Sequence, residues 1–124
     1  MHILIVDNDA LTLYKSKKFL EEKKHEVSVC QDLYEAVCML SKNVYDFILC
    51  DAYLAEIWGL IISNPLSKYG NHPPLLFTAS DKEIVPHINQ QFNTHYDFLQ
   101  KPVSLYELGD KLELAHFKND GQAA

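Results

Sequence analysis

Short apolar runs alternate with longer amphipathic stretches along this chain. The apolar runs, which predict strands, cover residues 3–6, 26–30, 47–50, 75–78 and 96–100. A continuous apolar run such as residues 3–6 is typical of a strand buried on both faces, whereas residues 26–30 alternate between polar and apolar. Helical periodicity covers residues 10–24, 33–40, 84–92 and 105–115, and a short helix is predicted at residues 60–63. Strict alternation of five strands and five helices predicts a parallel sheet covered on both faces, with right-handed crossovers.

Helix boundaries are indicated by capping residues and prolines. Asp9, Asp32 and Ser104 precede the first, second and last helices and are predicted N-caps. Pro65 should end the short third helix, after a loop that follows the third strand. Pro86 is expected in the first turn of the fourth helix.

Length and charge bound the class of protein. The 124 residues suit a single domain, predicted at residues 1–118, and the small polar segment 119–124 predicts a frayed tail or the start of a linker. The net charge of −6, from 17 acids and 11 bases, argues against direct nucleic-acid binding. Lysines at residues 15–24 are interpreted as a solvated helix face.

Cysteine usage and hydropathy indicate a cytoplasmic protein. The three cysteines, Cys30, Cys38 and Cys50, lie in apolar stretches at no metal-binding spacing, so we expect reduced core residues. The six histidines are scattered without ligand spacing. The N-terminus does not resemble a signal peptide, and no apolar stretch reaches the ~20 residues that span a membrane.

Polar residues follow several of the predicted strands. Asp7 and Asn8 follow the first strand, Asp51 follows the third, Thr78 ends the fourth and Lys101 follows the fifth. Ligands of open parallel sheets bind at the carboxyl edge, so these side chains are expected to share one pocket. Two close carboxylates repel each other, and Mg²⁺ with its preference for oxygen ligands would compensate. Such a pocket is suited to accepting a phosphoryl group.

Each of these residues also has an ordinary structural interpretation when taken alone. Asp7 and Asp9 could cap a helix, and Asp51 could be a turn residue. Thr78 could be a simple strand residue and Lys101 a solvated lysine. Their occurrence together on separate strand ends, in this order, favours the shared pocket.

Several segments together resemble the receiver domain of bacterial two-component response regulators. The resemblance runs from Ile3 to about Phe117 and includes Gly59, eight residues after Asp51. Its motifs are Leu4-Ile5-Val6-Asp7-Asn8-Asp9, Phe47-Ile48-Leu49-Cys50-Asp51, Phe77-Thr78-Ala79 and Phe98-Leu99-Gln100-Lys101-Pro102. It implies a three-layer, doubly wound, flavodoxin-like fold with strand order 2-1-3-4-5.

The resemblance also implies roles for individual residues. Asp51 would accept phosphate from a histidine kinase or phosphotransfer protein, and Thr78 and Lys101 would hold that phosphate. Mg²⁺ would be bound by Asp7, Asn8, Asp51 and the backbone carbonyl of Tyr53. Phe98 would be the switch aromatic that responds to Thr78, and the Lys101–Pro102 bond is expected to be cis.

The resemblance further implies partners. An output domain or downstream protein would read the surface formed by helix four, strand five and helix five, and homodimerisation through these helices stays open. The domain would be a signalling switch rather than an enzyme. The kinase, the signal and any output domain beyond residue 124 are not encoded legibly in the sequence.

Asn8 departs from the family pattern, in which this position is normally acidic. A unit charge pair at ~4 Å is worth roughly 4 kcal/mol gross at an effective dielectric near 20, so its loss predicts weak Mg²⁺ binding. Asp9 could compensate, although its register points to the helix start. Lesser departures are Ala55 in place of a proline and Lys24 in place of a turn glycine.

Two other functions compete with the phosphorylation switch. Asn8 supports a pseudo-receiver, an interaction module of the same fold without phosphoryl chemistry. Asp7-Asn8-Asp9 also resembles the nucleophile motif of haloacid-dehalogenase-type phosphatases. That enzyme family needs a further acidic pair after its lysine, whereas the acids after Lys101 fall inside an amphipathic helix, and this interpretation leaves Asp51 idle.

Overall fold

Strands and helices alternate in the computed structural model, which describes residues 1–57 and 73–123. The strands are β1 (His2–Val6), β2 (Glu26–Cys30), β3 (Phe47–Asp51), β4 (Leu75–Ala79) and β5 (Asp97–Gln100). The helices are α1 (Ala10–Glu22), α2 (Leu33–Lys42), α3 (Ala52–Ile57), α4 (Ile84–Phe92) and α5 (Leu105–Ala123).

The five strands form one parallel sheet in the order β2-β1-β3-β4-β5. This order confirms the predicted doubly wound, flavodoxin-like fold. The order reverses beside β1, since β2 pairs on one side of it and β3 on the other. The predicted crevice at the carboxyl edge therefore lies between the ends of β1 and β3.

Two apolar clusters cover the two faces of the sheet. The first packs α2, α3 and α4 on Leu4, Ile48, Phe77 and further alternate strand residues. The second packs α1 and α5 on the intervening residues, among them Ile5, Leu49 and Leu99. Side chains of a strand alternate between faces, so a continuous apolar run serves both clusters at once.

Most helix starts agree with the sequence. Asp9 accepts a hydrogen bond from the Leu11 N–H, and Asp32 accepts one from the Glu35 N–H, so both are N-caps as predicted. Pro86 lies in the first turn of α4, as predicted. Lys24 follows α1 with a φ of 72°, the left-handed region that favours glycine, as expected from its position at the turn.

The loop predicted directly after the third strand is wrong, and the last helix extends beyond its predicted end. A loop was expected after Asp51, but α3 begins at once with Ala52. The segment predicted as a short helix at residues 60–63 lies outside the described residues, as do Gly59 and Pro65. Helix α5 continues to Ala123 and so includes most of the segment interpreted as a tail. The proposed domain end at residue 118 stays a prediction.

The cysteines agree with the prediction made from the sequence. Cys30 and Cys50 are buried and Cys38 is partly buried, and all three are free thiols. Burial raises the pKa of the Cys30 thiol to about 12, which makes it unreactive. Within the described part of the chain, none of the helices has the length and apolar character needed to cross a membrane.

Candidate functional site

Three polar side chains are buried at the carboxyl edge of the sheet. Asp7 directly follows β1 and is 1% exposed, Asp51 ends β3 and is 6% exposed, and Thr78 lies near the end of β4 and is 1% exposed. Asp51 and Thr78 are direct neighbours in the β3–β4 register. Burying three polar side chains costs free energy unless each finds a hydrogen-bond partner or an opposite charge. The partners of these side chains therefore define the site.

Lys101 brings the two carboxylates together. Its backbone N–H donates to the Ala79 carbonyl at 2.8 Å, which fixes the residue beside the end of β4. Its ammonium Nζ lies 3.0 and 3.1 Å from the two carboxylate oxygens of Asp7 and 2.7 Å from Asp51 Oδ2. One cation therefore serves two buried carboxylates that lie at the ends of adjacent strands.

Backbone N–H groups orient both carboxylates. The Asp9 N–H donates to Asp7 Oδ1 at 2.8 Å, and the Leu54 N–H donates to Asp51 Oδ1 at 3.1 Å. The second bond makes Asp51 the cap of α3, and it leaves Asp51 Oδ2 to Lys101. The sequence interpretation missed this role of Leu54, although an aspartate before Ala52-Tyr53-Leu54 is a recognisable cap signal.

The electrostatics reflect the shared cation. Burial raises the pKa of Asp7 above its usual 3.8, and the opposing hydrogen bonds from Asp9 and Lys101 offset this only in part. Burial alone would lower the pKa of Lys101, but its hydrogen bonds to Asp51 and Asp7 and their charges raise it above 10.5. The ammonium is therefore firmly charged, whereas Asp7 ionises less readily than an exposed aspartate.

Among the described residues the Thr78 hydroxyl has no hydrogen-bond partner although its oxygen is buried, as is also true of the Ser16 and Tyr45 hydroxyls. A buried hydroxyl without a partner costs roughly 1–3 kcal/mol. A buried hydroxyl without a partner usually reflects local strain, a functional role, or a water or ion that binds to it. Because Thr78 lies beside Asp51, its hydroxyl is in a position to donate a hydrogen bond to an acceptor bound there.

The remaining predicted metal ligands lie at the exposed rim. Asn8 is exposed, and Tyr53, the second residue of α3, is 57% exposed. Asp9 does not turn toward the pair, because Oδ1 accepts from the Leu11 N–H and Oδ2 from the Thr12 hydroxyl. The Thr12 hydrogen bond lowers the pKa of Asp9. Compensation for Asn8 by Asp9 is therefore not seen in this geometry.

The donor chemistry of the site fits a magnesium ion. Asp7 and Asp51 already converge on one cation, the Lys101 ammonium, and both offer oxygen. Mg²⁺ binds through one or two protein carboxylates and keeps several waters, which matches two carboxylates with the rim oxygens of Asn8 and Tyr53. Among the described residues, no group of three or more His, Cys, Asp or Glu side chains could hold a metal.

Phe98 lies on β5 two residues after Tyr96, and both rings are partly buried against the cluster of α2, α3 and α4. Phe98 is the register neighbour of Phe77, which directly precedes Thr78. The Lys101–Pro102 bond is cis, as expected. Trp58, a candidate fluorescent reporter of this site, lies outside the described residues.

Comparison with known proteins identifies the class of domain that this fold and site define. A family model described as the response regulator receiver domain matches residues 3–113. The chain therefore belongs to the response regulator receiver domain family, as its sequence motifs indicated.

Curated relatives are longer proteins from three kingdoms of life. The two-component response regulator EHD1 of Oryza sativa subsp. indica is 26% identical over 113 residues, which cover 89% of this chain and 33% of the rice protein. The transcriptional regulatory protein ZraR of Salmonella typhimurium is 24% identical, covering 96% and 27%. The transcription factor SKN7 of Saccharomyces cerevisiae is 24% identical, covering 86% and 17%. This chain thus spans a third or less of these relatives.

Solved structures show the same fold. The receiver domain of the Francisella response regulator 1452 matches with a TM-score of 0.78 and 23% identity, covering 95% of this chain and 98% of that one. A two-component response regulator from Clostridium difficile matches with a TM-score of 0.78 and 26% identity, covering 93% and 94%. A receiver domain from Clostridium thermocellum gives 0.79 at 20% identity, covering 96% of both chains.

Proposed function

We propose that this domain is a phosphorylation-dependent signalling switch in which Asp51 accepts a phosphoryl group from a sensor histidine kinase or phosphotransfer protein. The observation that carries the proposal is the shared ammonium of Lys101, which holds Asp51 and Asp7 together at the carboxyl edge. Family membership supports a receiver role in signalling, and the site supplies the groups for it.

The acceptor carboxylate is prepared for in-line attack. The Leu54 N–H fixes Oδ1 of Asp51 and the ammonium holds Oδ2, so the plane of the carboxylate is set. A lone pair of Asp51 forms the new P–O bond while the P–N bond of a phosphohistidine donor breaks and its electrons return to the imidazole. Positioning and charge stabilisation supply most of the catalysis in such transfers.

Two side chains are placed to hold the product. Lys101 would follow the phosphoryl oxygens as a point charge, and the Thr78 hydroxyl would find in them the acceptor that it lacks. A bound Mg²⁺, held by Asp7, Asn8, Asp51 and the Tyr53 carbonyl, would neutralise charge on the phosphoryl group. Movement of Thr78 toward phosphate would then favour the inward position of Phe98.

The reader of this switch would be an output domain or a downstream protein. The proposed contact surface comprises α4, β5 and α5, and β5 pairs with the end of β4 that carries Thr78. Relatives described as a transcription factor and a transcriptional regulatory protein support an output in gene regulation for proteins of this type. Homodimerisation through the same surface and a cytoplasmic location remain part of the proposal.

A pseudo-receiver is the alternative that a specific observation favours. Asn8 removes one acid from the metal site, and the Asp9 carboxylate is occupied by its helix cap. The same pocket would then serve only to hold the fold together, and partners would bind the domain without phosphoryl transfer.

Beryllofluoride with Mg²⁺ separates these two functions, because it mimics a phosphoryl group on an aspartate. We expect NMR amide shifts at Thr78, Phe98 and Lys101 in the wild type and none in Asp51→Ala. An Asp46→Asn variant, which changes an acid at the opposite edge of the sheet, should respond like the wild type. A wild type that shows no shifts at these residues would favour the pseudo-receiver.

A further inference from the structure

The outer edge of β5 is covered by side chains. Strand β5 is the edge strand of the sheet next to β4. The Lys101 N–H donates to the Ala79 carbonyl of β4, so odd-numbered residues of this segment face β4. Successive residues of a strand turn their N–H groups to opposite sides, and the N–H groups of Tyr96 and Phe98 therefore face away from β4. An uncovered edge of this kind would expose backbone groups for pairing.

Asn89 of α4 covers the first of these positions with its side-chain amide. Its Oδ1 accepts from the Tyr96 N–H at 2.9 Å, and its Nδ2 donates to the Tyr96 carbonyl at 2.9 Å. Both backbone groups of Tyr96 are thus bound by one side chain, as a neighbouring strand would bind them. The same Oδ1 also accepts from the Thr94 hydroxyl at 2.9 Å.

The main chain of Asn89 ends helix α4 at the same place. Its carbonyl accepts from the N–H groups of Asn93 and Thr94, and Asn93 adopts a left-handed φ of 54°. This is a usual way for a helix to satisfy its last carbonyls. One residue therefore holds the end of α4, the α4–β5 turn and the start of β5.

The clamped strand carries the proposed switch aromatic. Tyr96 packs edge-on against Phe77 with ring centroids 5.2 Å apart, and Phe98 packs on the same face of the sheet. The Phe98 N–H donates to Asp97 Oδ1 at 2.8 Å, and Asp97 also pairs with Lys111 of α5. The two residues before Phe98 are thus bound to the flanking helices, Tyr96 to α4 and Asp97 to α5.

We propose that Asn89 is a positioning residue that couples α4 to β5, so that a change at Phe98 moves the end of α4. This inference rests on the proposed phosphorylation switch for its signal. The coupling itself rests on the hydrogen bonds of the Asn89 side chain. Without them α4 and β5 keep their packing but lose the rigid connection through Tyr96.

The test compares Asn89→Ala with Gln90→Ala, an exposed amide on the same helix. Asn89→Ala keeps the main-chain carbonyl that caps α4, so the helix end is retained. We expect hydrogen exchange at the Tyr96 amide to become about fivefold faster in Asn89→Ala, because one such hydrogen bond is worth about 1 kcal/mol. Gln90→Ala should exchange like the wild type.

The second readout is the NMR response to beryllofluoride and Mg²⁺. In Asn89→Ala we expect full amide shifts at Thr78 and Phe98 but less than half of the wild-type shifts in α4. Asn89→Asp keeps the two bonds that Oδ1 accepts and loses the bond donated to the Tyr96 carbonyl. Its amide shifts in α4 should therefore lie between those of the wild type and those of Asn89→Ala. This variant also keeps the test valid if Asn89→Ala fails to fold.

Two results would overturn the coupling: wild-type exchange at Tyr96 in Asn89→Ala, or α4 shifts as large as in the wild type. A wild type that does not respond to beryllofluoride would instead overturn the phosphorylation switch. In that case hydrogen exchange at Tyr96 and at residues 90–92 is the remaining test of the coupling between α4 and β5. Faster exchange in Asn89→Ala supports the coupling, and unchanged exchange contradicts it.

Discussion

The two ends of β1 carry polar groups in contrasting ways. At the N-terminal end, the His2 N–H donates to Asp46 Oδ2 at 2.7 Å. The His2 ring donates from Nδ1 to the Val44 carbonyl and bonds Ser28 Oγ through Nε2, both at 3.1 Å. The ring also lies 4.3 Å from the Tyr45 ring. Each polar atom of His2 therefore has its own partner, and these contacts tie β1 to β2 and to the loop before β3.

At the C-terminal end the partners are fewer than the groups that need them. Asp7 and Asp51 share one ammonium, and the Thr78 hydroxyl next to them has no partner within the described part of the chain. At one end of β1 each polar atom of His2 thus has a partner of its own, although the buried Tyr45 hydroxyl beside it has none among the described residues, whereas at the other end two carboxylates share one cation. We propose the C-terminal end as the functional one, because an added anion and cation would give its shared carboxylates and the Thr78 hydroxyl further partners.

The largest effect is expected from Lys101→Met. It leaves two buried carboxylates without their cation, and breaking a buried ion pair in this way costs about 3–5 kcal/mol. We expect a loss of about 3 kcal/mol in the free energy of unfolding, measured by urea denaturation, with partial rescue by Mg²⁺.

Lys111→Met is the matched control for that loss. Its partner Asp97 is 55% exposed in its side chain, and exposed pairs contribute less than about 1 kcal/mol. Equal losses in the two lysine variants would contradict the view that the carboxyl-edge pair is the costly one.

Asn8→Asp should tighten Mg²⁺ binding by about tenfold. The added carboxylate restores a charged ligand, and the gross gain of roughly 4 kcal/mol at an effective dielectric near 20 is partly cancelled by desolvation. Isothermal titration calorimetry with Mg²⁺ measures the change, with Asp46→Asn as the control at the other end of the sheet. An Asn8→Asp affinity no tighter than that of the wild type would show that the substitution at this position is not what limits the site.

Asp7→Asn should gain stability relative to the wild type as pH rises. Because the pKa of Asp7 is raised above 3.8, the folded wild type holds its proton where the unfolded chain has already lost it. Wild-type stability therefore falls with increasing pH from about 4 through the folded pKa, and the uncharged asparagine does not follow it. Urea denaturation from about pH 4 to 7 should show the unfolding free energy of Asp7→Asn rising relative to that of the wild type by up to about 1 kcal/mol across this range, whatever the constant cost of losing the Lys101 pair. A stability difference between the two proteins that does not change with pH would argue against a raised pKa of Asp7.

The smallest effect is expected from His2→Gln. The ring contacts at the N-terminal end are partly exposed hydrogen bonds worth about 1 kcal/mol or less. We expect a slight loss in unfolding free energy and no change in Mg²⁺ affinity or in the NMR shifts at Thr78. A large change at the site would mean that the two ends of β1 are coupled.

The sequence predicted the sheet well because β1, β3 and β4 are short apolar runs that serve two faces, and β2 and β5 are short apolar-containing segments between predicted helices. Strand β2 was predicted at its observed bounds, and the other strands within one residue at either end. Helix α3 was missed because it begins directly after β3 with no turn residue between them. Asp51 belongs to both elements, as the last strand residue and as the cap through Leu54.

The sequence predicted which side chains lie together at the carboxyl edge, but not which of their atoms are in contact. Strand-end position brought Asp7, Asp51 and Lys101 to one place, because parallel strands share their carboxyl edge. Periodicity carries no information about which atoms meet, so the shared ammonium and the unpaired Thr78 hydroxyl emerged only from the structure. The clamp by Asn89 was equally hidden, since an asparagine on a helix face usually signals no more than a solvated side chain.

The most direct test of the central claim is intact-mass analysis after incubation with a small phosphodonor and Mg²⁺. The account predicts one phosphoryl-sized increment on the wild type, lost under conditions that hydrolyse acyl phosphates, and none on Asp51→Ala. An increment that persists in Asp51→Ala would contradict the assignment of Asp51, and a wild type that never gains one would contradict the switch itself.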